Sequence, residues 1–184
     1  MNYSDVIRGK FVFFTEVNED DSAFILSLRL DRRFNRYINN TSPDVNLQRD
    51  WIRNQKERSG DYYFIICSTD GRAIGTISLY NINYSERTGE FGRWICNGNA
   101  IHSLESALLI HSFGFENIGL DEIYTNTISE NKSVLNFHKR FGSSLLTNEC
   151  YELNDKFSST RGVVKSKDFY KIKESNYKKL EMLA

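Results

Sequence analysis

Two hydrophobic rhythms share this chain: short continuous apolar runs, and stretches whose apolar positions recur every three or four residues. Phe11 to Val17 is mostly aromatic and β-branched and reads as a first strand. Asp20 or Asp21 stands where a helix cap is expected, with the helix running to about Arg33 and Phe24, Leu28 and either Ile25 or Leu26 turned inward. Phe34 to Asn46 is rich in Asn, Arg and Tyr, and Thr41-Ser42-Pro43 breaks it. Asn46 is then placed to cap a second helix through Arg58, carrying Trp51 and Ile52. Tyr62 to Cys67 has the apolar, aromatic and β-branched content of a buried strand. Asp70-Gly71 signals a hairpin turn into a second strand, Ala73 to Tyr80. Glu90 to Ile95 reads as the next strand. A helix is predicted over Ser103 to Glu116, with Leu104, Ala107, Leu108, Ser112 and Phe115 on one side. Glu122 to Ile128 is again strand-like. Asn131 to Gly142 reads as a short helix with Val134, Phe137 and Phe141 on its apolar face, closed by the glycine. From Lys165 onward, Phe169, Ile172 and Leu180 punctuate a lysine-rich amphipathic helix.

Composition narrows the classes. At 184 residues a single domain is expected, with 165–184 as a helical extension. Apolar residues make up 40% of the chain and aromatics 14%, enough for a core. Lys plus Arg and Asp plus Glu both number 24, so the basic excess of a general nucleic-acid binder is missing. No apolar run reaches the ~18–20 residues of a membrane span. Phe11 to Phe14 is too short for a secretory segment, and an acidic cluster, Glu19-Asp20-Asp21, follows it. The expected location is the cytoplasm, without a membrane partner. Cys67, Cys96 and Cys150 form no Cys-x-x-Cys pair, and the first two sit in predicted strands as small apolar residues. His102, His111 and His138 show no metal-ligand spacing, so no metal is expected.

The segment Asn131 to Gly142, reading Asn-Lys-Ser-Val-Leu-Asn-Phe-His-Lys-Arg-Phe-Gly, resembles without a gap a motif of the GNAT superfamily of acetyl-CoA-dependent N-acetyltransferases. Glu90-Phe91-Gly92-Arg93-Trp94-Ile95 is similar to the Glu-x-Gly-Tyr-Trp-Ile strand of the branch that acetylates ribosomal proteins. The likeness spans residues 8 to 152 in element order and is specific over 90–142. It implies an α/β fold with a mixed, centrally splayed sheet flanked by helices. It also implies acetyl-CoA as cosubstrate and transfer of its acetyl group to a primary amine.

The resemblance carries roles to particular positions. The edge at Arg93, Trp94 and Ile95 would pair with the pantetheine arm like an added strand. The pyrophosphate would sit at the start of the following helix, near Gly98, Asn99, Ser103 and Leu104. Here the chain departs from the family: Ile101 stands at a glycine position, and its branched side chain crowds a phosphate nest. Asn131 and Phe137 are further CoA contacts by the same resemblance. His138 falls where many members carry a tyrosine near the CoA sulfur, and its imidazole is the candidate proton donor to the thiolate. Glu90 is the candidate base for the acceptor ammonium. The segment between the first strand and the hairpin corresponds to the acceptor wall and offers Arg33, Tyr37 and Trp51, with Tyr80 at a strand end. Arginine forks suit phosphate oxygens and a Trp face suits a sugar or base. Val134 to Gly142 and Tyr80-Asn81-Ile82 look like bacterial members that acetylate sugar amines, so the expected acceptor is a small-molecule amine, such as a nucleotide-linked amino sugar. Protein N-terminal acetylation is the rival enzyme reading, and a non-catalytic GNAT-fold binding module is the rival from another class. Monomer and homodimer both stay open.

Overall fold

A computed structural model describes residues 7–154 and 157–183, with side-chain surroundings for 7–146 and 158–183. Seven strands form one sheet: β1 (Val12–Glu16), β2 (Tyr62–Ser68), β3 (Ala73–Asn83), β4 (Thr88–Cys96), β5 (Glu122–Ile128), β6 (Ser144–Asn154) and β7 (Phe157–Lys165). The helices are α1 (Ser22–Leu30), α2 (Val45–Lys56), α3 (Ala100–Ser112), α4 (Lys132–Phe141) and α5 (Ser166–Leu183). The sheet order is β1-β2-β3-β4-β5-β7-β6. Every neighbouring pair is antiparallel except β4 and β5. The expected α/β architecture with a mixed sheet flanked by helices is present. No described helix is long and apolar enough to cross a membrane.

The two faces of β2 show why the sheet is covered on both sides. Tyr63, Ile65 and Cys67 pack with Val17, Ile25 and Ile52 beneath α1 and α2. Phe64 and Ile66 point the other way, into a core shared with Phe14, Ile77, Leu79, Phe91, Ile110 and Phe113 along α3. A third cluster joins α3, α4 and α5 through Leu104, Leu108, Phe141, Phe169 and Leu180. Within α1, Ile25 and Leu26 are both buried with Leu28, while Phe24 is only partly covered.

Several helix ends differ from the sequence expectation, and each has a local cause. Asn18, not Asp20 or Asp21, caps the first turn: its side chain accepts from the Asp20 amide, and the Asp21 carboxylate accepts from the Asn18 amide. The α1 helix stops at Leu30, short of Arg33, because Asp31 is extended and its carboxylate holds the Arg33 amide and guanidinium. Asp44 takes the cap assigned to Asn46, accepting from the Asn46 amide at 2.8 Å. Asn99 starts α3 at Ala100 rather than Ser103, and a π-helical turn, Phe113–Ile118, takes the place of the last turn of the helix expected to Glu116. β6 and β7 have no counterpart in the sequence pattern, since Ser158 to Arg161 shows no apolar alternation; their register comes from pairing with β5 and with each other.

The amphipathic C-terminal helix is present as α5. Asn176, fully buried, donates to the Phe141 and Ile172 carbonyls. One of these ties α5 to the carbonyl end of α4, where helix carbonyls otherwise lack partners.

Candidate active site

The parallel pair at the sheet centre is short. β4 and β5 are in register only from Thr88–Glu122 to Glu90–Tyr124. Beyond Glu90, β4 pairs with β3 alone, and beyond Tyr124, β5 pairs with β7. The backbone of β4 turns here. Thr76 pairs with Ile95 and Ser78 with Gly92, so two steps along β3 match three along β4. This is a bulge, and Arg93 sits in it with φ of +46°. The Thr76 hydroxyl donates to the Arg93 carbonyl at 2.9 Å and satisfies it inside the bulge. The bulged half of β4 therefore leaves β5, and among the described residues the side of β4 facing the gap has no strand partner.

A cleft of about 1080 Å³ occupies this gap. That lies at the upper end of the range for small-molecule sites. Glu90, Trp94, Ile95, Asn131, Phe137 and His138 line it, as do Ser103, Tyr80, Arg33, Arg93 and Tyr37. The structure thus brings most of the residues singled out in the sequence to one place.

Glu90 stands at the last paired position and is held by neighbours. Tyr80 Oη donates to its Oε1 at 2.9 Å, Asn126 Nδ2 to the same oxygen at 3.2 Å, and Asn81 Nδ2 to Oε2 at 2.9 Å. Arg161 Nε in turn donates to Asn126 Oδ1 at 3.2 Å. Gly92 matters to this arrangement because a Cβ there would strike the Tyr80 ring. Burial, followed by the Glu90 charge, raises the Tyr80 pKa, so its hydroxyl stays a donor. The side chain of Arg93 points away from the gap: it forks onto Asp61 at 2.5 and 3.0 Å and stacks on Tyr80 at 4.1 Å.

His138 is not on an exposed helix face. It is 3% exposed, on the inward side of α4 with Leu135 and Phe141, while Val134 and Phe137 are only partly buried. Its ring lies among Phe91, Trp94 and Phe137, with centroids 5.7, 6.3 and 5.8 Å away. Burial pushes its pKa down to about 4, so it is neutral near pH 7. Its Nδ1 and the Thr125 Oγ1 are buried with no hydrogen-bond partner among the described residues, and both residues line the cleft. Such orphaned atoms are uncommon in native structures and suit a site completed by a ligand.

Four expected contacts lie elsewhere. Leu104 is buried in the core between α3 and α5. Trp51 packs edge-on against Tyr63 beneath α2. Asn99 is spent as a cap: its side chain accepts from the His102 amide at 3.0 Å, and the His102 ring accepts from the Asn99 amide at 3.2 Å. Gly98 makes room for that ring, which a Cβ would strike. The start of α3 is thus closed partly by its own side chains, and Ser103 is the residue of this turn that reaches the cleft. Asn131 serves as N-cap of α4 at 3.4 Å from the Val134 amide and also lines the cleft. Sequence reasoning missed Asn126, Arg161 and Thr125. Alternation along β5 puts Asn126 on the side of Tyr124, a signal present in the sequence; Arg161 lies on β7, which has no apolar pattern to mark it.

His111, next to this aromatic cluster, carries a testable pH signature. It is fully buried, and its Nδ1–H donates to the Ala107 carbonyl at 2.7 Å. Burial lowers its pKa from 6.5 to about 4. The unfolded chain therefore binds a proton first as the pH falls. The stability tied to the neutral ring is whole above pH 6.5 and is lost as the pH drops toward 4, about 2 kcal/mol of it by pH 5. Urea unfolding between pH 7 and 5 should show this loss in the native chain and less of it in His111→Phe; equal slopes would refute the assignment.

With the geometry in place, the comparisons identify the fold. Residues 12–144 match the acetyltransferase (GNAT) domain family. The chain belongs to this family. Among solved structures, apo FdhC, described as a nucleotide-linked sugar GNAT, resembles this GNAT chain with 27% identity and a TM-score of 0.79, covering 92% of this chain and 94% of that one. A GCN5-related N-acetyltransferase from Brucella melitensis shares 13% identity at a TM-score of 0.80, covering 95% and 84%. Spermidine N-acetyltransferase from Vibrio cholerae, in complex with CoA and spermine, shares 17% identity at a TM-score of 0.73, covering 86% and 98%. The last two show the fold alone. No curated protein sequence matches this GNAT chain.

Proposed function

We propose that this GNAT chain transfers the acetyl group of acetyl-CoA to a primary amine on a small molecule, an amino sugar carried by a nucleotide. The observation behind it is Glu90, a carboxylate anchored by three side-chain donors where β4 and β5 part. The likeness to a nucleotide-linked sugar GNAT supports the acceptor class.

In this reading the unpaired side of β4 at Trp94 and Ile95 receives the pantetheine arm as an added strand. Phe137, its ring tilted against Trp94 with centroids 4.6 Å apart, covers the arm, and Asn131 and Ser103 contact it from α4 and α3. Glu90 takes a proton from the acceptor ammonium, directly or through water, and the free amine attacks the thioester carbonyl. As the C–S bond breaks, the attacking nitrogen gives up its second proton, through water, to the departing sulfur, on which negative charge gathers. His138, neutral with its proton on Nδ1, donates a hydrogen bond to it. The closed start of α3 favours a second reading, a module that binds without catalysis. A thiol-release assay with acetyl-CoA and nucleotide-linked amino sugars separates the two: turnover supports the enzyme, and its absence across amines the module. Donor binding has its own readout. Acetyl-CoA at ~100 times its Kd adds roughly 2.7 kcal/mol of apparent stability, a rise in Tm of roughly 5–10 °C. No shift at millimolar acetyl-CoA would remove the donor from the proposal.

A further inference from the structure

The acceptor wall is strongly one-signed although the chain as a whole has no net charge. Among the described residues, six arginines border the cleft (Arg29, Arg32, Arg33, Arg36, Arg161 and Arg93, the last with its side chain turned onto Asp61), against one carboxylate, Glu90. Asp31 neutralises Arg33 and Asp61 neutralises Arg93. Arg29, Arg32 and Arg36 have no carboxylate partner among the described residues. Burial lowers the pKa of Arg29, and the Arg93 charge acts in the same direction. The arginines also alternate with aromatic rings: Arg33 lies 5.1 Å over Phe34, and Arg36 lies 5.1 Å over Tyr37. The segment is not a loose arm. Arg29 Nε donates to Thr41 at 3.0 Å, and Tyr37 Oη donates across the cleft to the Glu130 carbonyl at 3.2 Å.

We infer that the segment from Arg29 to Tyr37 binds the nucleoside diphosphate of the acceptor. This deepens the reading of a nucleotide-linked acceptor and rests on it. The guanidinium forks match paired phosphate oxygens, and the interleaved rings offer a stacking face to the base. The same charge has two further effects. It repels a polycationic amine such as spermine. It also disfavours the ammonium form of a bound amine, which eases the proton transfer to Glu90. The donor's own diphosphate belongs at the α3 end of the cleft, so the two diphosphates take separate places.

The test is calorimetric titration of uridine diphosphate, thymidine diphosphate and inorganic pyrophosphate into the full chain pre-saturated with CoA. The diphosphates should bind, more weakly as salt rises. Arg32→Ala and Arg36→Ala, both at exposed positions that tolerate truncation, should each weaken binding roughly tenfold, and CoA affinity should stay as it was. Three results would overturn the inference: no diphosphate binding in either the free or the CoA-bound chain; binding that vanishes once CoA is present; or binding that both variants leave intact. The two levels fail separately. Acetylation of nucleotide-linked amino sugars with a KM indifferent to Arg32→Ala and Arg36→Ala would keep acetyl transfer and remove the arginine site. Diphosphate binding by a chain that takes up no acetyl-CoA would do the reverse.

Discussion

Glu90→Gln is expected to lower kcat by roughly 10²–10⁴-fold, the usual contribution of a positioned general base. The amide has nearly the same shape and can still accept from Tyr80 and Asn126 through its oxygen, but it cannot take a proton from the acceptor. It also points an NH2 group toward Asn81, whose Nδ2 now donates to Glu90 at 2.9 Å. Asn81 is exposed, so water relieves that clash and the fold survives. Steady-state kinetics across pH supply the decisive reading. The deficit should shrink at high pH, where more of the acceptor amine is already neutral, and acetyl-CoA affinity should stay near the native value. A kcat within a few-fold of the native one at neutral pH would strip Glu90 of this role.

The second large effect concerns stability. Glu105, one helical turn beyond the start of α3, is 1% exposed, and its carboxylate accepts the backbone amides of Lys10, Phe11 and Val12 at 2.8, 2.7 and 2.8 Å. It ties the entry of β1 to α3 rather than merely complementing the helix dipole. Glu105→Ala leaves three amide donors around a cavity. Each buried donor left unsatisfied costs about 1–3 kcal/mol, so a loss of about 4 kcal/mol or more is expected, a large share of the ~5–15 kcal/mol of a typical domain. In urea the midpoint should fall sharply with the m value unchanged. Glu105→Gln, which keeps one acceptor oxygen, should fall between the two. A midpoint unmoved by Glu105→Ala would contradict the clamp.

Much of the architecture was legible because local patterns carried it. Tyr62 to Cys67, Glu90 to Ile95 and Glu122 to Ile128 are strands within a residue or two of their predicted spans. Gly142 closes α4, with its backbone at φ of +124°. Caps were less legible. Asn18, Asp44 and Asn99 compete with nearby polar residues, and only the backbone geometry decides which side chain meets a free amide. β7 was hidden because its middle is polar and draws its register from neighbours far along the chain.

The cleft shows the same division. The candidate chemistry at Glu90 and His138 could be picked out from their places in a strand and in a helix motif. Their settings could not. The positive φ at Arg93 marks the bulge where β4 has left β5, and no local pattern announces it. Asn126 and Arg161 join Glu90 through contacts between residues 35 and 36 positions apart in the chain. The motif marks His138 as a candidate donor to the thiolate, but only packing against Phe91 and Trp94 makes it buried and neutral. Helix and strand identity follow from short-range sterics and hydrophobic periodicity, so they are written in consecutive residues. Charge state, orphaned polar atoms and the shape of the gap depend on desolvation and on long-range hydrogen bonds, and these exist only once the sheet has closed around its helices.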